Sequence, residues 1–263
     1  RRPAASFAQI GVFWGAFAAQ VPPLKAQAGL SDSGFGLVML VTAAGGVIAM
    51  SAAPWLDRKL GARALMVMSL ILTCVVLLPG LAQGWVFFML AMLLATMSVG
   101  SLDVLMNARV SQIEARVGHA LMNLNHAMFS FAFAGAAFAA AMARKAGYGP
   151  DQVLPVMSLV CVGLVLLMRE SEAQYGPPML DEDEAPVGTK PPWTAIILTA
   201  TILFAAFLGE NATEAWSALH IERTLGGAVG EGGLGPATLG LVMGVARLFG
   251  QVAAQRFGEA KLI

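Results

Sequence analysis

The sequence predicts an all-α integral membrane protein: a six-helix bundle, a polar linker, and the first two helices of a second six-helix bundle. Three observations predict it. Hydrophobic residues make up 57% of the chain and charged residues only 12%, with a mean hydropathy of +0.72, whereas about a quarter of residues are charged in soluble domains. Eight apolar segments recur along the chain with helical rather than strand spacing. A polar stretch then separates six of these segments from the last two, and Gly250–Gly258 echoes Ala53–Gly61, as if a unit begins to repeat.

The first segment, Phe7–Val21, is expected to close at Pro22-Pro23, because proline lacks the N–H a helix needs. Gln9, Phe13 and Gln20 fall near one helical face with Trp14 beside them, so Gln9, Trp14 and Gln20 are candidates for a solute pathway. The second, Gly34–Ala53, spaces Gly45, Gly46, Ala49 and Ala53 nearly four apart, a face on which backbones approach closely. Trp55–Arg63 gathers Asp57, Arg58, Lys59 and Arg63 around Gly61 and reads as a cytoplasmic loop.

A third segment, Ala64–Leu81, turns at Gln83-Gly84 into a fourth, Trp85–Arg109. The fifth, His119–Ala143, is almost all Ala, Gly and Phe in its second half, again a close-packing surface. The sixth is Gln152–Met168. The stretch 170–192, with its acidic run Asp181–Glu184 and several prolines, reads as a flexible linker. A seventh segment, Trp193–Gly209, continues into Glu210–Trp216, and after the glycine-rich loop Gly226–Gly235 an eighth runs from Pro236 to Ala254. The expected domains are therefore 1–169, a cytoplasmic linker over 170–192, and the start of a second domain over 193–263. The opening Arg1-Arg2-Pro3, without an initiator methionine, suggests a chain trimmed from something longer.

The 16 basic and 16 acidic residues cancel, so no global field argues for nucleic acid. Most basic residues, Arg58, Lys59, Arg63, Arg109 and Arg169 among them, fall on one side if the amino terminus is cytoplasmic. That bias sets the expected orientation. Cys74 and Cys161 lie inside apolar runs and suggest neither a disulfide framework nor a metal cluster.

Polar residues inside such segments are the functional signal. Asp103, Asn107 and Glu114 stand at i, i+4 and i+11 of the fourth segment, and Asn123, His126 and Ser130 at i, i+3 and i+7 of the fifth. An aspartate near the bilayer centre costs about 2.5–3.5 kcal/mol on insertion scales, so it faces a bundle interior or a water-filled cavity. These stripes either line a solute pathway or clamp helix ends. Glu210 and Glu214 share a helical face, with Asn211 beside them; Glu210 lies about 25 Å along the helix from Trp193. A carboxylate desolvated there suits a proton carrier, while the alternative is an interfacial helix end, the more so for Glu214 and Trp216. His126 is either a proton relay or a hydrogen-bond partner of Asn123 or Ser130. The formal glycosylation sequon Asn211-Ala-Thr213 lies on a membrane segment and carries no weight.

With the loop Ala53–Arg63 in view, the chain resembles the major facilitator superfamily of secondary transporters. That family's cytoplasmic signature runs Gly-x-x-x-Asp-Arg-x-Gly-Arg; Asp57 and Arg58 match it, Ala53 replaces the first glycine and Gly61 comes one residue late. Asp103-Val-Leu-Met-Asn107 with Glu114, Asn123 and the Glu210–Trp216 stretch is similar to a bacterial inner-membrane subgroup typified by YbjJ, distantly related to fucose-type sugar permeases. The resemblance covers all 263 residues. It implies twelve helices in the family, of which this chain carries eight, and a cytoplasmic gate at Asp57, Arg58, Gly61, Arg63 and Glu114. The fifth segment lacks the glycine-proline motif associated with antiporters of this superfamily.

The resemblance further implies a secondary active transporter working by alternating access and coupled to protons. Amides beside Phe13, Trp14 and Phe129 favour a small polar solute, a sugar or an organic acid. The expected partners are that solute, H+ and the lipid bilayer of a bacterial inner membrane, with no nucleic acid, no cofactor and no metal, and the chain is expected to act as a monomer. Alternatives stay open: a membrane sensor that binds without turnover, or a facilitator or efflux member. A membrane enzyme would need a nucleophile with its base or clustered metal ligands, and His119, His126 and His220 form no recognisable set.

Overall fold

The computed structural model describes residues 2–168 and 192–257. The helices are α1 (Arg2–Gln27), α2 (Asp32–Leu60), α3 (Ala64–Val76), α4 (Leu78–Leu81), α5 (Gly84–Val117), α6 (Met122–Lys145), α7 (Pro150–Leu166), α8 (Trp193–Arg223) and α9 (Leu234–Phe257). Every expected apolar segment is helical, the third divided at Leu77 just before Pro79. Among the described residues six helical stretches are long and apolar enough to cross a membrane, and Pro150–Leu166 is a shorter apolar helix. The chain is thus an all-α membrane bundle of six helical segments followed by the first two of a second set. The expected linker over 170–192, with its acidic run, and the end at 258–263 lie outside the described residues, apart from Pro192.

α1 is the axis of the bundle. It packs along α6 and touches α5, α7, α8 and α9, while α2 pairs with α5, and α6 with α9. Glycines make two of the tightest crossings. A Cβ at Gly11 would lie 2.3 Å from the Phe129 carbonyl oxygen and one at Gly15 would lie 2.1 Å from that of Phe133, so α1 meets the α6 backbone where any side chain would hold it off. A Cβ at Gly100 would stand 2.4 Å from the Gly46 oxygen, in the α2–α5 crossing. Thr96 Oγ1 donates to the Thr42 oxygen at 2.6 Å and Ser101 Oγ to that of Ala49 at 3.2 Å across the same contact. The small-residue faces expected on the second and fifth segments therefore do pack closely.

Helix ends depart from the sequence reading. α1 does not close at Pro22-Pro23 but continues to Gln27. Proline in a helix removes an N–H and leaves the carbonyl four residues back without its partner; for Pro23 that carbonyl belongs to Ala19, and Arg144 Nη1 donates to it at 3.1 Å. α2 likewise runs through Pro54 to Leu60, so most of the expected cytoplasmic loop is helix, and only Gly61–Arg63 form a short 3-10 turn. Gly61, at φ +55°, ends α2 in a conformation that favours glycine. α5 extends beyond Arg109 to Val117.

Candidate functional site

A cavity of about 760 Å³ opens between α1, α2 and α5 on one side and α8 on the other, within the size range of small-molecule sites. Its walls are predominantly apolar. Aromatic surface comes from Trp14 and Phe17 of α1 and from Phe204, Phe207 and Trp216 of α8. Trp14 is held by Phe13, 4.9 Å between ring centroids, and by Phe17 at 5.6 Å, and Trp216 stands edge-on to Phe35 at 5.8 Å. Polar atoms come from Thr42, Thr96, Asn211 and Glu214. Both threonine hydroxyls already donate to backbone carbonyls, and Asn211 Nδ2 donates to the Phe207 oxygen at 2.9 Å. The Asn211 side-chain oxygen and the Glu214 carboxylate are therefore the side-chain acceptors that a solute could engage, with the indole N–H groups of Trp14 and Trp216 as donors.

Behind this wall, on the side of α8 that faces α9, sits a charged cluster. Arg247 of α9 lies 3.7 Å from a Glu210 carboxylate oxygen, donates to Ser130 Oγ at 2.5 Å and to the His126 carbonyl at 3.2 Å, and stands 5.9 Å from the Phe129 ring. One guanidinium thus ties α6, α8 and α9 together. Glu210 and Glu214, a helical turn apart, face different neighbours: Glu210 faces Arg247 and Glu214 the cavity. The His126 ring packs edge-on to Phe7 at 4.8 Å.

Asp103 and Asn107 form a pair along α5: Asn107 Nδ2 donates to the Asp103 carbonyl at 2.8 Å and to its carboxylate at 3.2 Å. They lie about one and two turns beyond Gly100, the last cavity residue of α5. Further along, Asp57 of α2 and Arg109 of α5 make an ion pair at 2.6 Å, both side chains almost wholly buried. Arg109 also reaches the Gly61 carbonyl at 3.4 Å and Gln112 at 3.2 Å. Glu114 accepts the backbone N–H groups of Leu121 at 2.5 Å and Met122 at 2.7 Å, capping the start of α6. Gln251 of α9 donates to the Ala120 carbonyl at 2.5 Å and accepts the Leu124 N–H at 3.1 Å.

At the opposite end Arg144 of α6 pairs with Glu222 of α8 through both guanidinium nitrogens, at 2.7 and 3.1 Å. Arg223 and Lys25 both pair with Asp32.

Several site candidates stand elsewhere than the sequence reading put them. Gln9 turns from the cavity to α3, donating at 2.8 Å to both the Ser69 carbonyl and Thr73 Oγ1. Gln20 is buried against α6, its amide 3.5 Å from the Ala140 carbonyl. A helix has neighbours on every side, and spacing alone does not say which side is hollow. Arg58 and Arg63 are exposed, and Asn123 is half-buried near Gly250. Trp14, Asn211 and Glu214 do reach the cavity. Glu214, expected mainly at an interface, is its one ionisable lining residue. Arg247 was overlooked, although a lone cation inside an apolar segment incurs the same insertion cost that singles out Asp103. Arg144 and Glu222 gave no signal, because charged residues near helix ends look interfacial.

Among the described residues no group of His, Cys, Asp and Glu is placed to hold a metal ion. Over residues 4–263 the chain matches the Major Facilitator Superfamily. The chain belongs to the Major Facilitator Superfamily. Within it, the chain is 27% identical over 258 residues to an uncharacterised MFS-type transporter of Yersinia pestis, covering 96% of this chain and 65% of the relative. It is 26% identical over 264 residues to an uncharacterised transporter of Sinorhizobium fredii, covering 99% and 69%. Its fold is similar to that of a bacterial homologue of the human lysosomal transporter Spinster, solved in an inward-facing and occupied conformation, with a TM-score of 0.62 at 14% identity, over 98% of this chain and 61% of the other. The chain therefore spans about two thirds or less of the length of these proteins. Membership of this superfamily makes it a multi-pass membrane chain of a transporter family.

Proposed function

We propose that the protein is a secondary active transporter that moves a small polar solute across a bacterial inner membrane by alternating access, with proton coupling and a cytoplasmic amino terminus. The observation that carries this reading is the cavity between the first helical bundle and α8. Residues 1–169 act as one domain, 170–192 as the cytoplasmic linker and 193–263 as the start of the second domain, in a chain that works as a monomer. The two bundles rock about the cavity. Asp57, Gly61 and Glu114 hold the cytoplasmic end through Arg109 and the α6 start, with Arg58 and Arg63 at its surface. Arg144 and Glu222 hold the other end.

Glu210 and Asp103 are the proton carriers in this reading, because each is a carboxylate in the membrane part of the bundle beside polar neighbours. Of the two expected solute classes, a sugar fits better than an organic acid. Trp14 and Trp216 offer faces for a ring and Asn211 and Glu214 accept hydroxyl donors, whereas an acid would bring a second negative charge to Glu214. The largely apolar lining favours one second reading, a facilitator or exporter of an amphipathic solute.

The test is transport in proteoliposomes with an internal pH dye, adding sugars, organic acids and amino acids singly. Solute-triggered proton entry is expected, lost in Glu210→Gln or Asp103→Asn with insertion intact. Full transport in both variants would remove these sites from coupling. Silence across the panel, with a ligand still raising the melting temperature, would favour a sensor that binds without turnover.

A further inference from the structure

We propose that the solute carried in the cavity bears a protonated amine, which pairs with Glu214 while the rest of the solute lies on the indoles of Trp14 and Trp216. The proposal rests on reading this cavity as the solute site and deepens it.

Charge placement is the first argument. Glu214 is the one ionisable side chain among the residues that line the cavity. The nearest cation, Arg247, is already committed on the α9 side, to Glu210, Ser130 Oγ and the His126 carbonyl. Two carboxylates one helical turn apart thus share the field of one guanidinium, and among the described residues it is Glu210 that pairs with it within 4 Å while Glu214, turned to the cavity, feels it only at longer range. A carboxylate in apolar surroundings costs several kcal/mol unless a proton or a cation meets it. A solute ammonium supplies that cation; a neutral solute leaves the cost in place and an anion adds to it.

The walls are the second argument. Aromatic faces attract cations through their quadrupole, indole most strongly, and the cavity presents two tryptophans and three phenylalanines around this single carboxylate. The remaining polar acceptor, the Asn211 side-chain oxygen, stands next to it and can take a second ammonium or hydroxyl donor. The charged and aromatic features a solute meets here favour positive charge, while the indole N–H groups of Trp14 and Trp216 can donate to its hydroxyl or carbonyl oxygens. Proton carriage stays with Glu210, which faces Arg247, and with Asp103, so the solute's ammonium and the coupling proton occupy different carboxylates.

The test uses the full chain in detergent and matched pairs of probes that differ only in the amine, glucosamine against glucose and phenethylamine against 2-phenylethanol, at a pH where the amines are charged. Binding is read by tryptophan fluorescence and by calorimetry. The amine of at least one pair is expected to bind about tenfold or more tightly than its partner, the range of one charge-assisted hydrogen bond. That preference should vanish in Glu214→Gln and survive in Lys59→Ala, a change at an exposed residue away from the cavity. Should Glu214→Gln fail to fold, Glu214→Asp, which keeps the charge, should retain the preference with weaker affinity. Equal binding of amine and neutral probes, or a preference that persists in Glu214→Gln, overturns the proposal and leaves the cavity as the solute site. Binding that leaves the fluorescence unchanged in a variant with Trp55, Trp85 and Trp193 replaced by Phe, so that Trp14 and Trp216 alone report, overturns both readings.

Discussion

Arg144 of α6 and Glu222 of α8 are joined by two hydrogen bonds, at 2.7 and 3.1 Å, and the same guanidinium takes the Ala19 carbonyl that Pro23 leaves without its helical partner. Three helices meet in this one contact, and the side chains are nearly buried, at 7% and 14% exposure. Removing one partner of a buried pair leaves the other charge uncompensated. Glu222→Gln is expected to lower stability by about 2–4 kcal/mol, less than for a sealed pair because Glu222 keeps some water. The measurement is the melting temperature in detergent, together with maleimide labelling of a cysteine placed at Ala18. Labelling should rise in Glu222→Gln and return toward the parent rate in Glu222→Asp; an unchanged rate in both would mean the pair does not hold this end closed.

The Asp57–Arg109 pair allows a sharper comparison within the last turn of α2. Asp57 is buried and paired, whereas its neighbour Arg58 is exposed. Asp57→Asn is expected to cost about 3–5 kcal/mol, while Arg58→Ala, a surface change, should stay within about 0.5 kcal/mol. Denaturation of the two variants side by side decides it. Equal effects would place the role of this stretch in its exposed charges.

Arg247 and Glu210 are expected to act as one unit in coupling. Arg247→Gln should abolish solute-driven proton entry as fully as Glu210→Gln, and the double variant should be no worse than either alone, a coupling of about 0.5–3 kcal/mol in a double-mutant cycle. Additive losses would separate the two residues into independent roles.

The α1–α6 crossing predicts a steric asymmetry among glycines. Gly15→Ala puts a methyl group 2.1 Å from a backbone oxygen, which cannot swing aside as a side chain can. It is expected to cost about 1–3 kcal/mol or to abolish accumulation of folded protein. Gly135→Ala, where a Cβ meets nothing within 4 Å, should be neutral or slightly stabilising, since alanine favours the helix. Melting temperatures of the two variants check both signs.

Much of the site was readable before any contact was known, and its limits have physical causes. Glu210, Asn211, Glu214 and Trp14 stood out because polar or amphipathic groups in apolar segments are costly unless something meets them. The same reasoning would have found Arg247, a lone cation in the eighth segment. It could not separate Glu210 from Glu214, because a shared helical face does not say which neighbour each carboxylate meets. Gln9 and Gln20 were expected along the pathway for the same reason, and they clamp α1 to α3 and α6 instead.

By itself the sequence determined that the chain crosses a membrane as helices, how many segments there are, and where small residues let backbones touch, since these follow from local composition and spacing. Only the tertiary structure decided where helices end and which polar groups meet. α1 passes through Pro22-Pro23 because Arg144, more than a hundred positions away, satisfies a carbonyl the prolines leave open, and α2 runs on through Pro54. Likewise Glu214 faces a hollow, and Glu210 an arginine, because of where α9 and α1 come to rest. Those partners are distant in sequence, and a residue's own neighbours in the chain carry no record of them.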